Sequence, residues 1–430
     1  MAPQIQVSAL ASTSAPERSF NNFNWGRLGA EPVRPASRSE VDDAPVVRFL
    51  QGLLQEAVQR GASDLHFEPL EHQLRVRLRI DGELHEVAQA PGAIKDALAS
   101  RIKVISGLDI AEKRVPQDGR LKWQVQGCAI DLRISTLPTL FGEKVVIRVL
   151  AGQRDTYSLE ALGYEPGDIA LLQHAIAQPY GMVLVTGPTG SGKTLSLYTL
   201  LHLINQPGVN IATAEDPSEI VMPGVNQVNV NDKAGLSFAT ALRAFLRQDP
   251  DVIMVGEVRD LETADITFKA SQTGHLVLST LHTNDAPATL TRLRHMGVAP
   301  FHVASSVMLV TAQRLARRLC PQCKAPETLS PDVLKTAGMN DEAIDQARTW
   351  TSYRPVGCAA CFRGFAGRVG LFQVMPINEA QQALILAQAS DLEMAAQAKR
   401  DGVRTLREAG LLKVQQGLTS LAEVMAITKS

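Results

Sequence analysis

The sequence predicts an α/β protein: a core with a mostly parallel sheet covered on both faces, preceded by a small α+β domain. Three observations lead there. The short apolar runs MVLVT (182–186), NIATA (210–214), VIMVG (252–256) and HLVLSTL (275–281) are separated by helical segments. Parallel sheets with helices on both faces produce that alternation. Upstream, LRVRLRI (74–80) alternates residue by residue, with Leu74, Val76, Leu78 and Ile80 on one side and Arg75, Arg77 and Arg79 on the other. This is the pattern of a half-buried strand, its arginines read as a solvated face. Finally, 430 residues exceed the roughly 250–300 that one hydrophobic core organises, so two or three domains are expected.

The elements follow in chain order. Residues 1–44 are rich in Ala, Ser, Pro, Asn and Arg without periodicity and read as a flexible arm. From Pro45, the residues Val47, Leu50, Leu54, Ala57 and Val58 share a helical face, and Gly61 suits a C-terminal cap. After LRVRLRI, Asp81-Gly82 supplies a hairpin turn and ELHEV (83–87) returns. Residues 45–150 therefore form the small α+β domain. A linker near 151–157 leads to the core over 158–430, in which LSLYTLLHLI (195–204) is a helix.

Composition narrows the function classes. An apolar fraction of 45% is ordinary for a globular protein, and a net charge of −1 offers no general attraction to nucleic acid or an acidic membrane. The basic run RLARRLC (314–320) reads as a solvated face. No apolar stretch approaches the roughly 18–20 residues of a membrane span, and the N-terminus lacks a charged segment followed by an apolar one. A cytoplasmic chain is expected.

Chemistry concentrates between Gly187 and His282. GPTGSGKT (187–194) fits a phosphate loop. Gly187, Gly190 and Gly192 let the backbone wrap around phosphates, with Pro188, Thr189 and Ser191 completing the loop. Lys193 is placed to reach the β- and γ-phosphates and Thr194 to ligate Mg²⁺. In TAEDPSE (213–219), Glu215 and Asp216 follow an apolar run; one or two carboxylates suffice for a hydrated Mg²⁺, although E-D-P alone also suits a turn and helix cap. In QDPDVIMVGEVRD (248–260), Glu257 follows a strand that delivers it beside the loop, where a carboxylate orients the attacking water. Asp251, at the start of that strand, reads as structural, and Arg259 and Asp260 as local pairing or capping. His275 and His282 flank the next run at an odd separation, on opposite faces of a regular strand, which argues against a shared metal.

Cys320 and Cys323 form one C-x-x-C pair, Cys358 and Cys361 another. Two such knuckles signal a tetrahedral Zn²⁺ bound by four thiolates; two disulfides or redox-active pairs are the alternatives, the first disfavoured in the cytoplasm and the second because neither pair follows a thioredoxin-like strand. Cys128 is left over and reads as a buried thiol.

These blocks, with RGASDLHFEP (60–69), AEKRVPQDGR (111–120) and STLPTLFGEKVVIRVL (135–150), resemble the secretion ATPase superfamily of type II secretion and type IV pilus assembly motors. The resemblance runs from about residue 45 to the C-terminus. It implies a RecA-like core, a preceding PAS-like α+β domain, a zinc module at about 316–368 and C-terminal helices at about 376–430. It also implies an ATP hydrolase with Mg²⁺ and Zn²⁺ that works as a homo-oligomer, a hexamer, without nucleic acid. Such motors act at the cytoplasmic face of the inner membrane, attached through platform proteins. By the same resemblance Glu215 belongs to an acidic box, His275 and His282 to a histidine box that senses the γ-phosphate or a subunit boundary, and Arg133 and Arg148 to nucleotide-contacting arginines. Arg120 is a weaker candidate. Salt bridges within the small domain suit these arginines equally. The family's further N-terminal docking domain is expected to be shortened or absent. Powering type II secretion is the expected function and type IV pilus assembly the alternative. A non-hydrolysing scaffold would need a spoiled acidic site, and a DNA-moving ATPase a basic surface with interleaved aromatic residues.

Overall fold

A computed structural model describes residues 43–125, 128–150, 157–339, 341, 344–345 and 350–428. The arm over 1–42, the linker over 151–156 and the Cys128 thiol lie outside the described residues and side chains. The chain divides into two compact units, Met1–Gln153 and Arg154–Ser430.

In the first unit, helix α1 (Asp43–Gln59) precedes β1 (Asp64–Pro69), β2 (Gln73–Ile80) and β3 (Glu83–Pro91); α2 (Lys95–Ile105) precedes β4 (Gln117–Val125), β5 (Cys128–Thr139) and β6 (Gly142–Leu150). The strands form one six-stranded sheet in the order β3-β2-β1-β6-β5-β4, antiparallel throughout. Asp81 and Gly82 both take positive φ, the geometry of a tight hairpin turn. One face of the sheet is apolar. Leu65, Phe67, Val76, Leu78, Leu132, Ile134, Val145 and Ile147 pack there against Phe49, Leu53 and Leu54 of α1 and Leu98 and Ile102 of α2.

The opposite face carries the arginines of β2, and they are not simply solvated. Arg75 and Arg77 donate to the Glu68 carboxylate at 3.0 and 2.7 Å, and Lys144 lies 3.3 Å from it. Because β1 and β2 are in register, Glu68 stands opposite Arg75, and cross-strand pairing follows from position. Burial pushes the Glu68 carboxyl up, but the bonds from Arg77, Lys144 and Arg75 outweigh it and hold it down at about 2.

The second unit opens with α3 (Leu159–Leu162) and α4 (Pro166–Ile176). Strand β7 (Gly181–Thr186) leads to α5 (Lys193–Ile204), then β8 (Ile211–Glu215), β9 (Val225–Asn229), α6 (Phe238–Phe245), β10 (Val252–Val255), α7 (Leu261–Gln272), β11 (Leu276–Leu281), α8 (Ala286–His295), α9 (Pro300–Ser306) and β12 (Val307–Leu319). Strand β13 (Ala325–Glu327), α10 (Pro331–Thr336) and β14 (Ser352–Arg354) precede β15 (Phe365–Pro376). Helices α11 (Glu379–Leu386), α12 (Asp391–Arg400), α13 (Leu406–Gln415) and α14 (Leu421–Ile427) end the chain. The main sheet has seven strands in the order β15-β12-β7-β11-β10-β8-β9. All neighbours are parallel except β12 and β15.

Both faces of this sheet are packed, which explains why its strands read as continuous apolar runs. Along β7, Met182 and Leu184 join one core, with Leu242, Phe268 and Leu290. Val183 and Val185 join the other, with Leu172, Leu197 and Leu201. Strand β12 lies outside the runs read as strands, because Gln313, Arg314, Arg317 and Arg318 interrupt its apolar pattern. Nor is its basic segment a uniformly solvated face. Arg317 bonds both Glu423 carboxylate oxygens and stacks 4.3 Å over the Phe365 ring. Arg314 donates to the carbonyl and side-chain oxygens of Asn284, both at 3.1 Å, and only Arg318 is exposed. No helix among the described residues is long and apolar enough to cross a membrane.

Candidate functional site

Strand β7 ends at Thr186 and the glycine-rich loop begins immediately at its carboxyl end. Gly187, Gly190 and Gly192 all have positive φ, at 148°, 79° and 90°, backbone that side-chain-bearing residues rarely adopt. A Cβ on Gly187 would lie 2.6 Å from both the Gln313 carbonyl and the Ser191 hydroxyl, so space as well as φ requires glycine. Helix α5 starts at Lys193, and its first-turn N–H groups have no partners within the helix. The Ser191 hydroxyl is buried without a partner. Unpaired donors at a helix N-terminus form a cradle suited to an anion.

The Lys193 ammonium donates to the Gly187 and Pro188 carbonyls at 2.8 and 3.1 Å, folded across the loop. Burial pushes its pKa down to about 8; nearby Arg314 adds to the shift and Glu257 opposes it. Thr194 follows in the first turn of the helix, and Pro188 and Thr189 form the exposed bend of the loop.

The neighbouring strands deliver their residues to the same edge. Glu257 lies two residues beyond β10 and ion-pairs with Arg259. His282 lies just beyond β11, its Nε2 3.6 Å from the other Glu257 oxygen. Burial and the charges of Lys193 and Arg259 lower the His282 pKa, with Glu257 opposing. Arg259 also reaches to within 3.7 Å of Asp216, beyond β8. Parallel strands of similar length thus collect Lys193, Asp216, Glu257, Arg259 and His282 at one rim, where open α/β sheets hold ligands. Asp260 caps α7 by accepting from Thr263 N–H at 2.8 Å. Asp251 accepts from Asn210 N–H at 2.8 Å at the far end of its strand.

Two of the expected residues sit differently. Glu215 is 4% exposed and points inward. Its carboxylate accepts from the Tyr198 hydroxyl, from Thr213 at 2.6 Å and from Gln227 at 3.0 Å. It is therefore not an open metal ligand; Asp216, the next residue, is the exposed acid. The sequence shows the strand end but not the interior donors that claim the side chain. His275 precedes β11 and bonds the Ala270 carbonyl at 2.9 Å. The six residues of β11, roughly 20 Å of extended strand, separate it from His282 and the loop, so the second unit does not bring the two histidines together.

In the first unit, strand register places Arg120 opposite Arg133 and Arg133 opposite Arg148, with Asp64 next in the row. Arg148 donates to Asp64 at 2.9 Å. Like charges directly opposed across strands are unfavourable, and the Asp64 carboxylate offsets part of that charge at the Arg148 end of the row.

The four paired cysteines converge. The sulfur atoms of Cys320, Cys323, Cys358 and Cys361 all lie within 4.8 Å of one another, with Cys320–Cys358 at 3.9 Å and Cys323–Cys361 and Cys358–Cys361 at 3.6 Å. Tetrahedral Zn–S bonds of about 2.3 Å imply sulfur separations of about 3.8 Å, so the donor set fits Zn²⁺. No disulfide joins them. Gly357 N–H donates to the Cys323 sulfur at 3.3 Å, a bond that favours thiolate. The short sheet of β13 and β14 frames the cluster.

The sequence reading missed Gln313, which is 1% exposed and bonds the phosphate loop through Ser191 at 2.7 Å. A neutral polar residue at the edge of an otherwise basic run, Gln313 before Arg314, was its only signal.

Comparison with known proteins places this architecture. A type IV pilus assembly ATPase of Pseudomonas aeruginosa is 53% identical over 392 residues, covering 91% of this chain and 69% of that protein. A type II secretion system protein E of Aeromonas hydrophila is 46% identical over 389 residues, covering 90% of this chain and 76% of that protein. The ATPase DotB of Legionella pneumophila has a similar fold, with a TM-score of 0.64 at 20% identity over 93% of this chain and 98% of that one. The model of the type II/IV secretion system protein family matches residues 39–426, and the chain belongs to that family.

Proposed function

We propose that this chain is a Mg²⁺-dependent ATPase motor that powers type II protein secretion. The observation that carries the reading is the meeting of Lys193, Glu257 and His282 at one sheet edge beside the glycine loop. Lys193 and the loop N–H groups bind the β- and γ-phosphates. Glu257 orients water for attack, and neutral His282 contacts the Glu257 carboxylate and reports on the γ-phosphate. Mg²⁺ would neutralise phosphate charge; Thr194 and Asp216 would hold it, with Glu215 behind them. Arg133, Arg148 and Arg120 add positive charge for the transition state, and His275 acts at a subunit boundary. The core is RecA-like and the first unit PAS-like. A structural Zn²⁺ sits in the cysteine cluster. The working form is a homo-oligomeric ring, a hexamer, held by platform proteins at the cytoplasmic face of the inner membrane.

The second reading, a type IV pilus assembly motor, has its own support: three pilus assembly ATPases are 50–54% identical, although that of Thermus thermophilus is 42%, against 45–46% for the secretion proteins. Purified chain is expected to hydrolyse ATP only with Mg²⁺, and specific activity to rise steeply with protein concentration as rings form. Activity that stays flat through the monomer range removes the ring from the proposal. Loss of secreted protein without loss of surface pili in a deletion strain selects the secretion reading; the reverse selects pilus assembly.

A further inference from the structure

We propose that Gln313 is a positioning residue for the phosphate loop, holding the Ser191–Gly192 peptide so that its N–H faces the bound phosphates. Strand β12 runs parallel to β7 with Ala312 opposite Thr186, so the next residue of β12 arrives level with the start of the loop. Gln313 is 1% exposed and both ends of its amide are used. Nε2 donates to the Ser191 carbonyl at 2.7 Å, and Oε1 accepts from the Ser196 hydroxyl of α5 at 2.9 Å. The Tyr164 hydroxyl reaches Ser196 at 3.4 Å. A Cβ on Gly192 would lie 3.3 Å from the same Nε2, so side chain and loop are in close contact.

The consequence follows from the peptide group. In a planar trans peptide the C=O and the following N–H point in opposite directions. Anchoring the Ser191 carbonyl on the interior side turns the Gly192 N–H toward the concave side of the loop. With φ of +90°, Gly192 lacks the steric guidance of a Cβ, and no other donor to the Ser191 carbonyl is present among the described residues. A preset N–H spares the ligand the work of ordering the loop. The inference rests on the reading of residues 187–194 as an ATP site and names a residue outside the motif that determines its shape.

The test compares Gln313→Met, Gln313→Glu, Ser196→Ala and Lys193→Ala in the full chain, using ATP affinity, steady-state KM and kcat, and melting temperature. Gln313→Met keeps the volume and loses both hydrogen bonds. It is expected to raise Kd and KM about tenfold with kcat little changed, as for an interaction made equally in ground and transition states. Ser196→Ala keeps the Ser191 bond and stays within about threefold. Gln313→Glu binds weakly at neutral pH and recovers affinity at acid pH, where a protonated carboxyl donates to the Ser191 carbonyl. A purely structural role would lower melting temperature without that pH-dependent rescue. Parent-like KM in Gln313→Met, or in Gln313→Glu at every pH across the titration of its carboxyl should the former not fold, overturns the proposal. If Lys193→Ala also binds as the parent does, the ATP-site reading has failed; if it loses binding, only the Gln313 assignment has.

Discussion

The sheet of the first unit is antiparallel, with one apolar face and one charged face, whereas the seven-stranded sheet is mostly parallel and packed on both faces. The difference decides where chemistry can reside. On the first sheet, functional candidates stand on a face, in cross-strand rows such as Arg120, Arg133 and Arg148. On the second, no face is available, so Lys193, Glu257 and His282 are confined to the loops at the carboxyl ends of β7, β10 and β11. Strand register therefore sets the first site, and strand length and order set the second.

The cysteine cluster of the second unit carries the largest expected effect on stability. Metal binding in small zinc modules contributes on the order of 10 kcal/mol to folding. Elemental analysis is expected to find one Zn²⁺ per chain in the parent and none in Cys358→Ser, with lowered melting of the second unit while the first is unchanged. The adjoining helices should loosen as well, because Leu319 N–H bonds the Leu418 carbonyl and Lys324 the Gly417 carbonyl, both at 2.8 Å. Zinc-free protein with parent stability contradicts the assignment.

Next come the arginines. Replacing Arg133 or Arg148 with Ala is expected to cut turnover by about 10³-fold, the lower bound for an arginine that stabilises phosphoryl-transfer charge, with a smaller effect on ATP affinity. Steady-state kinetics beside equilibrium binding separate the two. Full activity in both variants reduces the row to ion pairs within the first unit.

The charged face of the first sheet makes a pH prediction. The Glu68 pKa is depressed from 4.5 to about 2, so the carboxylate stabilises the folded state above pH 4.5. That contribution is lost as pH falls from 4.5 toward 2. Glu68→Gln is expected to cost at least about 2 kcal/mol at neutral pH, less than a fully buried pair because its cationic partners are half-exposed. The gap from the parent in urea melts should close across that acid window. A pH-independent gap would assign the loss to packing instead.

Much of this was legible before folding. Strict alternation in β2 announces a half-buried strand, and the continuous runs of β7 and β11 announce burial on both sides. The phosphate loop and the cysteine knuckles are local, so their spacing alone declares them. What escaped reading depends on long-range neighbours. The Tyr198, Thr213 and Gln227 donors to Glu215 come from α5, β8 and the segment of β9. Gln313 gains its role only because β12 inserts beside β7. His275 and His282 were separable in sequence, because only His282 follows the carboxyl end of its strand, and the direction of β11 sends them to opposite edges.

A smaller effect tests local structure near the rim beside the glycine-rich loop. Asp260→Ala removes the cap of α7 and is expected to cost about 1 kcal/mol in chemical denaturation, with turnover preserved because Asp260 faces its own helix. A large loss of kcat would place Asp260 in the chemistry.

Glu257, at the edge of the parallel sheet, is the carboxylate on which the proposed hydrolysis depends. Glu257→Gln keeps the shape of the side chain and removes the charge that orients water. ATP affinity and phosphate release should be measured on the same purified preparation, with Lys193→Ala alongside. The expected result is near-parent affinity with turnover abolished in Glu257→Gln, and lost affinity in Lys193→Ala. Near-parent phosphate release by Glu257→Gln would contradict the account, because the catalytic carboxylate would then lie elsewhere.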